Sequence, residues 1–192
     1  MELNQAERRE LLEIAKEAIA ARIAGRELPQ RTPSSARLTA PRGVFVCLKV
    51  GGRLRGCIGN MTASTPLWQA VRDMAAEAAF ADPRFMPLTK AELPQISLEI
   101  SVLSELRLVD DPGEVVVGEH GLYVVSGRHR GVLLPQVATE WGWDRDTFLA
   151  ETCLKAGLAA DSWKKGARIH VFTATVFFGD TSGKDKEAVG RG

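Results

Sequence analysis

The first apolar pattern in the chain has a helical period. Leu11, Leu12, Ile14, Ala15, Ala18, Ile19 and Ile23 recur at three- and four-residue spacing until Gly25, and Asn4 with Glu7 has capping-box spacing. This predicts an amphipathic opening helix. From Arg26 to Arg42 the chain turns polar and carries Pro29, Pro33 and Pro41, the pattern of a long surface connection. The period then changes to two. Val44, Val46, Leu48 and Val50 alternate on one face, Gly51-Gly52 supplies a positive-φ turn, and the chain returns, so Gly43 to Gly59 reads as a hairpin. Unbroken alternation in the return strand groups Leu54, Gly56 and Ile58 on one face and Arg53, Arg55 and Cys57 on the other.

A second helix is predicted with Ser64 or Thr65 as its cap, Pro66 in its first turn and a stripe of Leu67, Val71, Met74, Ala75 and Ala78. Asp82-Pro83-Arg84-Phe85-Met86-Pro87 must be a loop, because two prolines forbid a continued helix. Thr89 to Glu92 has capping-box spacing and opens at most a short turn before Pro94. Gln95 to Leu103 alternates as a strand, with Ile96, Leu98, Ile100 and Val102 on one side and Ser97, Glu99 and Ser101 on the other. Short strands are expected over 114–117, 122–125 and 131–134, helices over 135–141 and 146–155, and one final strand over 168–178. Residues 181–192 lack an apolar anchor and read as a loose tail. Hairpins with interspersed helices give an α+β class, a mostly antiparallel sheet with flanking helices arranged as an α/β sandwich.

Composition narrows the partners. The 192 residues are 45% hydrophobic and 26% charged, the balance of a folded globular chain. Lys+Arg 25 against Asp+Glu 24 leaves a net charge of +1, so no global field holds a nucleic-acid backbone or an anionic membrane, and neither is an expected partner. The charged first residues lack the apolar core of a signal peptide, and no stretch of about 20 apolar residues could span a bilayer. Three cysteines, Cys47, Cys57 and Cys153, make no C-x-x-C pair, and an odd count leaves at least one unpaired within the chain; a reducing cytoplasm is the expected setting.

Candidate chemistry concentrates in Arg55-Gly56-Cys57-Ile58-Gly59-Asn60. Neighbouring arginines favour a thiolate, which would make Cys57 a nucleophile, and Gly56 and Gly59 remove side chains where a ligand could approach the backbone. The same residues also fit packing, since glycines mark bulges and cysteine is often buried. Glu99 is a candidate base or a partner for Arg55 or Arg84; otherwise it is a solvated strand residue. His120 in Gly118-Glu119-His120-Gly121 is a candidate proton carrier or a turn residue bonded to backbone. Asp82 and Arg84 either hold an anion or end the helix before them. The expected site is therefore Cys57, Glu99 and His120 for chemistry, with Arg55, Gly56, Gly59, Asp82 and Arg84 for a small anionic substrate. The three histidines lack metal-motif spacing, so no metal and no cofactor are expected.

Taken in order, several strings resemble the AMMECR-domain family. They are Leu54-Arg55-Gly56-Cys57-Ile58-Gly59, then Ala79 to Pro87, Glu99 to Ser104, Gly118 to Leu122, Leu133 to Ala138, Gly142-Trp143-Asp144 and Lys155-Ala156-Gly157. Gln136 departs from the glutamate that many relatives carry there, which removes a carboxylate role at that position. The resemblance implies a single domain over residues 1–180 with a larger and a smaller lobe and a cleft between them, near which the hexapeptide and the Asp-Pro-Arg-Phe loop would lie. It supplies no reaction. Prokaryotic members are often encoded with, or fused to, Memo-like and radical-SAM proteins, which implies such proteins as partners. Two readings follow: an enzyme or enzyme subunit centred on Cys57, and a non-catalytic adaptor for a Memo-like or radical-SAM protein.

Overall fold

The structure, a computed structural model, describes residues 3–62, 64–180 and 185–186. Its strands are β1 (Val44–Val50), β2 (Arg53–Asn60), β3 (Ile96–Leu103), β4 (Arg107–Val109), β5 (Gly121–Ser126), β6 (His129–Leu133), β7 (Arg168–Phe172), β8 (Ala174–Asp180) and β9 (Asp185–Lys186). They form a five-stranded sheet of order β2-β1-β3-β8-β9 and a four-stranded sheet of order β4-β7-β5-β6. Two compact units carry them, Met1–Leu103 with Thr175–Gly192, and Ser104–Ala174, each around its own apolar core. The α+β class with antiparallel pairing stands as the alternation predicted.

In the first unit, helix α1 (Gln5–Ile23) starts at the predicted capping box: Asn4 Oδ1 accepts the Glu7 N–H at 2.9 Å and Glu7 Oε2 accepts the Asn4 N–H at 2.8 Å. Glu7 is itself buried, and its second oxygen accepts from the Ser35 hydroxyl at 2.7 Å and from Arg37 at 3.3 Å. One carboxylate thus caps the helix and ties down the polar connection. That connection contains a short helix the prolines concealed, α2 (Ala36–Thr39), which buries Leu38 completely.

Helix α3 (Leu67–Phe80) packs against β1 and β2, and α1 packs against α3. Its start differs from expectation. Pro66 is the residue before the helix, no side chain caps it, and the Leu67 N–H donates to the Ala40 carbonyl at 3.2 Å. The first amide of the helix is thus spent on main chain. The faces of β1 and β3 toward the helices, Val44, Val46, Leu48, Leu98 and Ile100, are fully buried.

The second unit places helix α5 (Arg145–Lys155) on β6 and β5, and α4 (Pro135–Glu140) on β5. Residues 114–117 are not the expected strand. The Glu114 and Val115 N–H groups donate to the Asp111 and Pro112 carbonyls at 2.9 and 3.2 Å, and the Val116 N–H donates to His120 Nδ1 at 3.1 Å, so the amides a ladder would need are taken by local turns and one side chain. The strand of this region is β4, which sequence alternation had missed. The single final strand divides at Thr173, whose N–H donates to Ser104 Oγ and whose carbonyl accepts the Ser104 N–H, both at 2.9 Å. With both polar groups diverted, β7 joins one sheet and β8 the other. Of the expected tail, 185–186 pairs with β8, and residues 181–184 and 187–192 lie outside the described residues.

Gly56 fixes how closely α3 can sit on β2. A Cβ there would lie 1.9 Å from the Ala78 carbonyl oxygen, a main-chain atom that cannot turn aside. Gly56→Ala is accordingly expected to destabilise the chain by at least about 2 kcal/mol, the scale of overpacking against rigid backbone. Urea unfolding of the two proteins checks this; a loss below about 0.5 kcal/mol would show that the helix can lift without cost.

Candidate functional site

The site grows from a register slip. The Gly51-Gly52 turn, with φ of 58° and 80°, sets Val50 against Arg53 and Lys49 against Leu54. Continued without interruption, that pairing would set Cys47 against Gly56. Instead Leu48 faces Gly56 and Cys47 faces Cys57, so Arg55 is the extra residue of a β-bulge. The bulge reverses part of the predicted face assignment. Leu54, expected on the core face, lies opposite Lys49 on the outer face and is 43% exposed. Arg55 leaves the ladder altogether.

Its guanidinium reaches the loop after α3. Arg55 Nε donates to Glu92 Oε1 at 2.7 Å, Nη1 to the Met86 carbonyl at 2.7 Å, and Nη2 to the Pro87 carbonyl at 3.2 Å. Glu92 also accepts from the Thr89 N–H and hydroxyl, each at 2.8 Å, which realises the predicted capping-box spacing. The bond to Arg55, helped by those from Thr89, lowers the Glu92 carboxyl to about 2.

Cys57 sits on an edge strand, and its main chain faces away from β1. The Cα atoms of Cys47 and Cys57 are 4.0 Å apart, the close spacing of a pair that exchanges no ladder bonds. Its N–H therefore needs another acceptor and its carbonyl another donor. Asp82 Oδ2 accepts the N–H at 2.9 Å, and Arg84 Nη2 donates to the carbonyl at 3.1 Å. The two side chains join as a fork, Nε to Oδ1 at 3.0 Å and Nη2 to Oδ2 at 2.7 Å. Asp82 is buried, and the Arg84 bonds, with that from the Cys57 amide, hold its carboxyl far below the ordinary carboxylate range despite burial. The same bond raises the Arg84 guanidinium. The Asp-Pro-Arg loop thus stands in for a neighbouring strand.

On the outer face a row runs directly across three strands: Cys57 on β2, Cys47 on β1, Glu99 on β3. All three are half-buried. Cys47 and Cys57 are joined by a disulfide, so the free thiol expected at Cys57 is here half of a sulfur–sulfur bond. Glu99 pairs with neither arginine; its partner is Lys49, Nζ to Oε2 at 2.7 Å.

The two glycines turn out to have packing reasons. Gly56 meets α3, and Gly59 lies beneath the Phe45 ring, where a Cβ would come within 2.3 Å of a ring carbon. They admit protein, where a ligand's approach was expected. Arg55 and Arg84, expected to hold a substrate's charge, each have a carboxylate partner, although the Arg84 side chain remains 55% exposed. His120 belongs to the other unit, where its ring closes the 116–120 turn as the backbone-bonded alternative had it. The residues that sequence reasoning missed are Cys47 and Glu92. The Thr89–Glu92 spacing was the signal for the second; the first has none, because a bulge cannot be read from alternation.

Comparison with known proteins agrees with the resemblance. The AMMECR1 family model matches residues 12–177. A Methanosarcina barkeri protein is 38% identical over 98% of this chain and 95% of its own, and a Methanothermobacter thermautotrophicus protein is 43% identical over 93% and 97%. The crystal structure of an uncharacterized protein from Pyrococcus horikoshii superimposes with a TM-score of 0.84 at 38% identity, covering 92% of this chain and 93% of that one.

Acid probes the clamp directly. Asp82 and Glu92 ionise at lower pH folded than unfolded, so their contribution is complete above about pH 5 and drains as pH falls toward 2 and below. Stability should fall across that window by up to ~1.4 kcal/mol per pH unit for each proton taken up. Asp82→Asn cannot take up its proton, so its stability should change less between pH 7 and pH 3. Parallel curves for the two proteins in urea unfolding would refute the assignment.

Proposed function

The chain belongs to the AMMECR1 family, and on that premise we propose that it works as an enzyme, or an enzyme subunit, whose reacting atom is the Cys57 sulfur and whose substrate is a small anion. The observation that carries this reading is the placement of Cys57: half-buried, on the sheet face turned away from the core, with its carbonyl held by the Arg84 guanidinium. With the bond to Cys47 reduced, Cys57 offers a thiolate as nucleophile. Nε and Nη2 of Arg84 are engaged by Asp82 and by the Cys57 carbonyl, while Nη1 has no bond among the described residues and serves as the contact for a negative charge. Glu99, two strands away in the same row and steadied by Lys49, is the group placed to move a proton.

A second reading, an adaptor that docks a Memo-like or radical-SAM protein, draws on Met86. This side chain is 80% exposed on a loop whose Met86 and Pro87 carbonyls are held by Arg55, an apolar knob on a fixed mount. Here Cys57 would be structural.

Two alkylating reagents distinguish the readings. In the reduced protein, iodoacetate should modify Cys57 faster relative to neutral iodoacetamide than it modifies an unfolded control. Arg84→Ala should cut that preference about two- to fivefold, the scale of an exposed charge interaction. Equal ratios in all three samples would refute the anion site. On the adaptor reading, purified partner would be retained by Cys57→Ser and lost with Met86→Ala.

A further inference from the structure

We propose that Cys47 and Cys57 form a reversible dithiol–disulfide couple that exchanges with small thiols and disulfides, with Cys57 as the sulfur that leaves as thiolate. The inference shares the Cys57 sulfur with the proposed activity and rests on that reading in this respect alone; its test needs no substrate.

The first argument concerns what the bond adds. Cys47 and Cys57 are ten residues apart on two strands already joined by the Gly51-Gly52 turn and by a ladder that continues on both sides of them. A cross-link stabilises mainly by removing loop freedom from the unfolded chain, and this one closes a short loop that the hairpin itself holds shut. As a staple it is placed where a staple does least. The second argument is access. Both cysteines lie half-buried on the outer face, within reach of a small reagent, and thiolate attack needs that access. Cys153 is the opposite case: it is fully buried in the other unit, and burial pushes its thiol up.

The third argument is asymmetry. Each cysteine has an ion pair near it. At Cys57 the buried Asp82 accepts the amide N–H and the exposed member is Arg84, whose Nη2 lies 3.1 Å from the Cys57 carbonyl. At Cys47 the residue directly opposite on β3 is Glu99, itself paired with Lys49. A positive neighbour favours thiolate at Cys57, and a carboxylate disfavours it at Cys47. A small thiolate RS⁻ therefore attacks Cys47 Sγ; the Sγ–Sγ bond breaks, its electron pair leaves with Cys57, and Cys47 carries the mixed disulfide. A second RS⁻ attacks the sulfur from the small molecule, releasing R–S–S–R and the Cys47 thiolate. Two RSH supply two electrons and two protons; the reverse reaction takes R–S–S–R as oxidant.

The test equilibrates the full chain in buffers of varied reduced to oxidised glutathione ratio, quenches by alkylation and assigns each cysteine by mass spectrometry. Cys47 and Cys57 should convert together, reversibly, in one two-electron step, while Cys153 stays unmodified and the fold persists in both forms by circular dichroism. With oxidised glutathione, Cys47→Ser should form one mixed disulfide at Cys57, at least tenfold faster than Cys57→Ser forms one at Cys47. A pair that stays reduced in every buffer, a reduction that unfolds the chain, or equal rates in the two variants would overturn the proposal. The iodoacetate preference measured in Cys47→Ser separates the two ideas. Preference without cycling leaves the anion reading standing and removes this one; cycling without preference does the reverse.

Discussion

An edge strand with no neighbour must still satisfy its outward amide and carbonyl, and in this protein that requirement falls on Cys57. Asp82 and Arg84 meet it together, one accepting from the Cys57 N–H and the other donating to its carbonyl, while their fork holds the two side chains to each other. The loop can do this only because α3 ends at Phe80, two residues before Asp82, and α3 can lie that close only because residue 56 has no side chain. Glycine, helix end, loop and cysteine are one construction, and removing any member leaves a polar group or a backbone contact unresolved.

Around the sulfur row, charge comes in pairs. Arg55 meets Glu92, Arg84 meets Asp82 and Lys49 meets Glu99, three cations against three anions within one unit. Such pairs fix geometry more than they attract ligands. What distinguishes the place chemically is uneven sharing. Asp82 is buried while most of Arg84 is exposed, so the positive end faces outward beside Cys57 and the negative end is spent inside. In the Lys49–Glu99 pair the carboxylate is again the less exposed partner, but it stands directly across from Cys47.

Much of the fold was legible in the chain. The capping box at Asn4 and Glu7, the Gly51-Gly52 turn, the stripe of α3 and the alternation of β3 each depend on spacing over a few residues, and each appears where the spacing put it. The failures share a cause. At residues 114–117 and at Thr173 the amides are diverted, in the first case by turn carbonyls and the His120 ring and in the second by the Ser104 hydroxyl. A β-propensity pattern reports what a backbone could do, and it cannot report that the backbone's donors are already taken.

The candidate site divides in the same way. The sequence by itself determined most of its membership: an arginine, two glycines and a cysteine in one hexapeptide, an Asp-Pro-Arg loop, and a glutamate on the polar side of a strand, but not Cys47 or Glu92. Only the tertiary structure decided their relations. A single extra residue at Arg55 shifts the pairing by one, and since side chains alternate with period two, that shift turns Leu54 outward, frees Arg55 for Glu92 and sets Cys57 against Cys47. Register is a property of two strands together, so no reading of either one alone contains it.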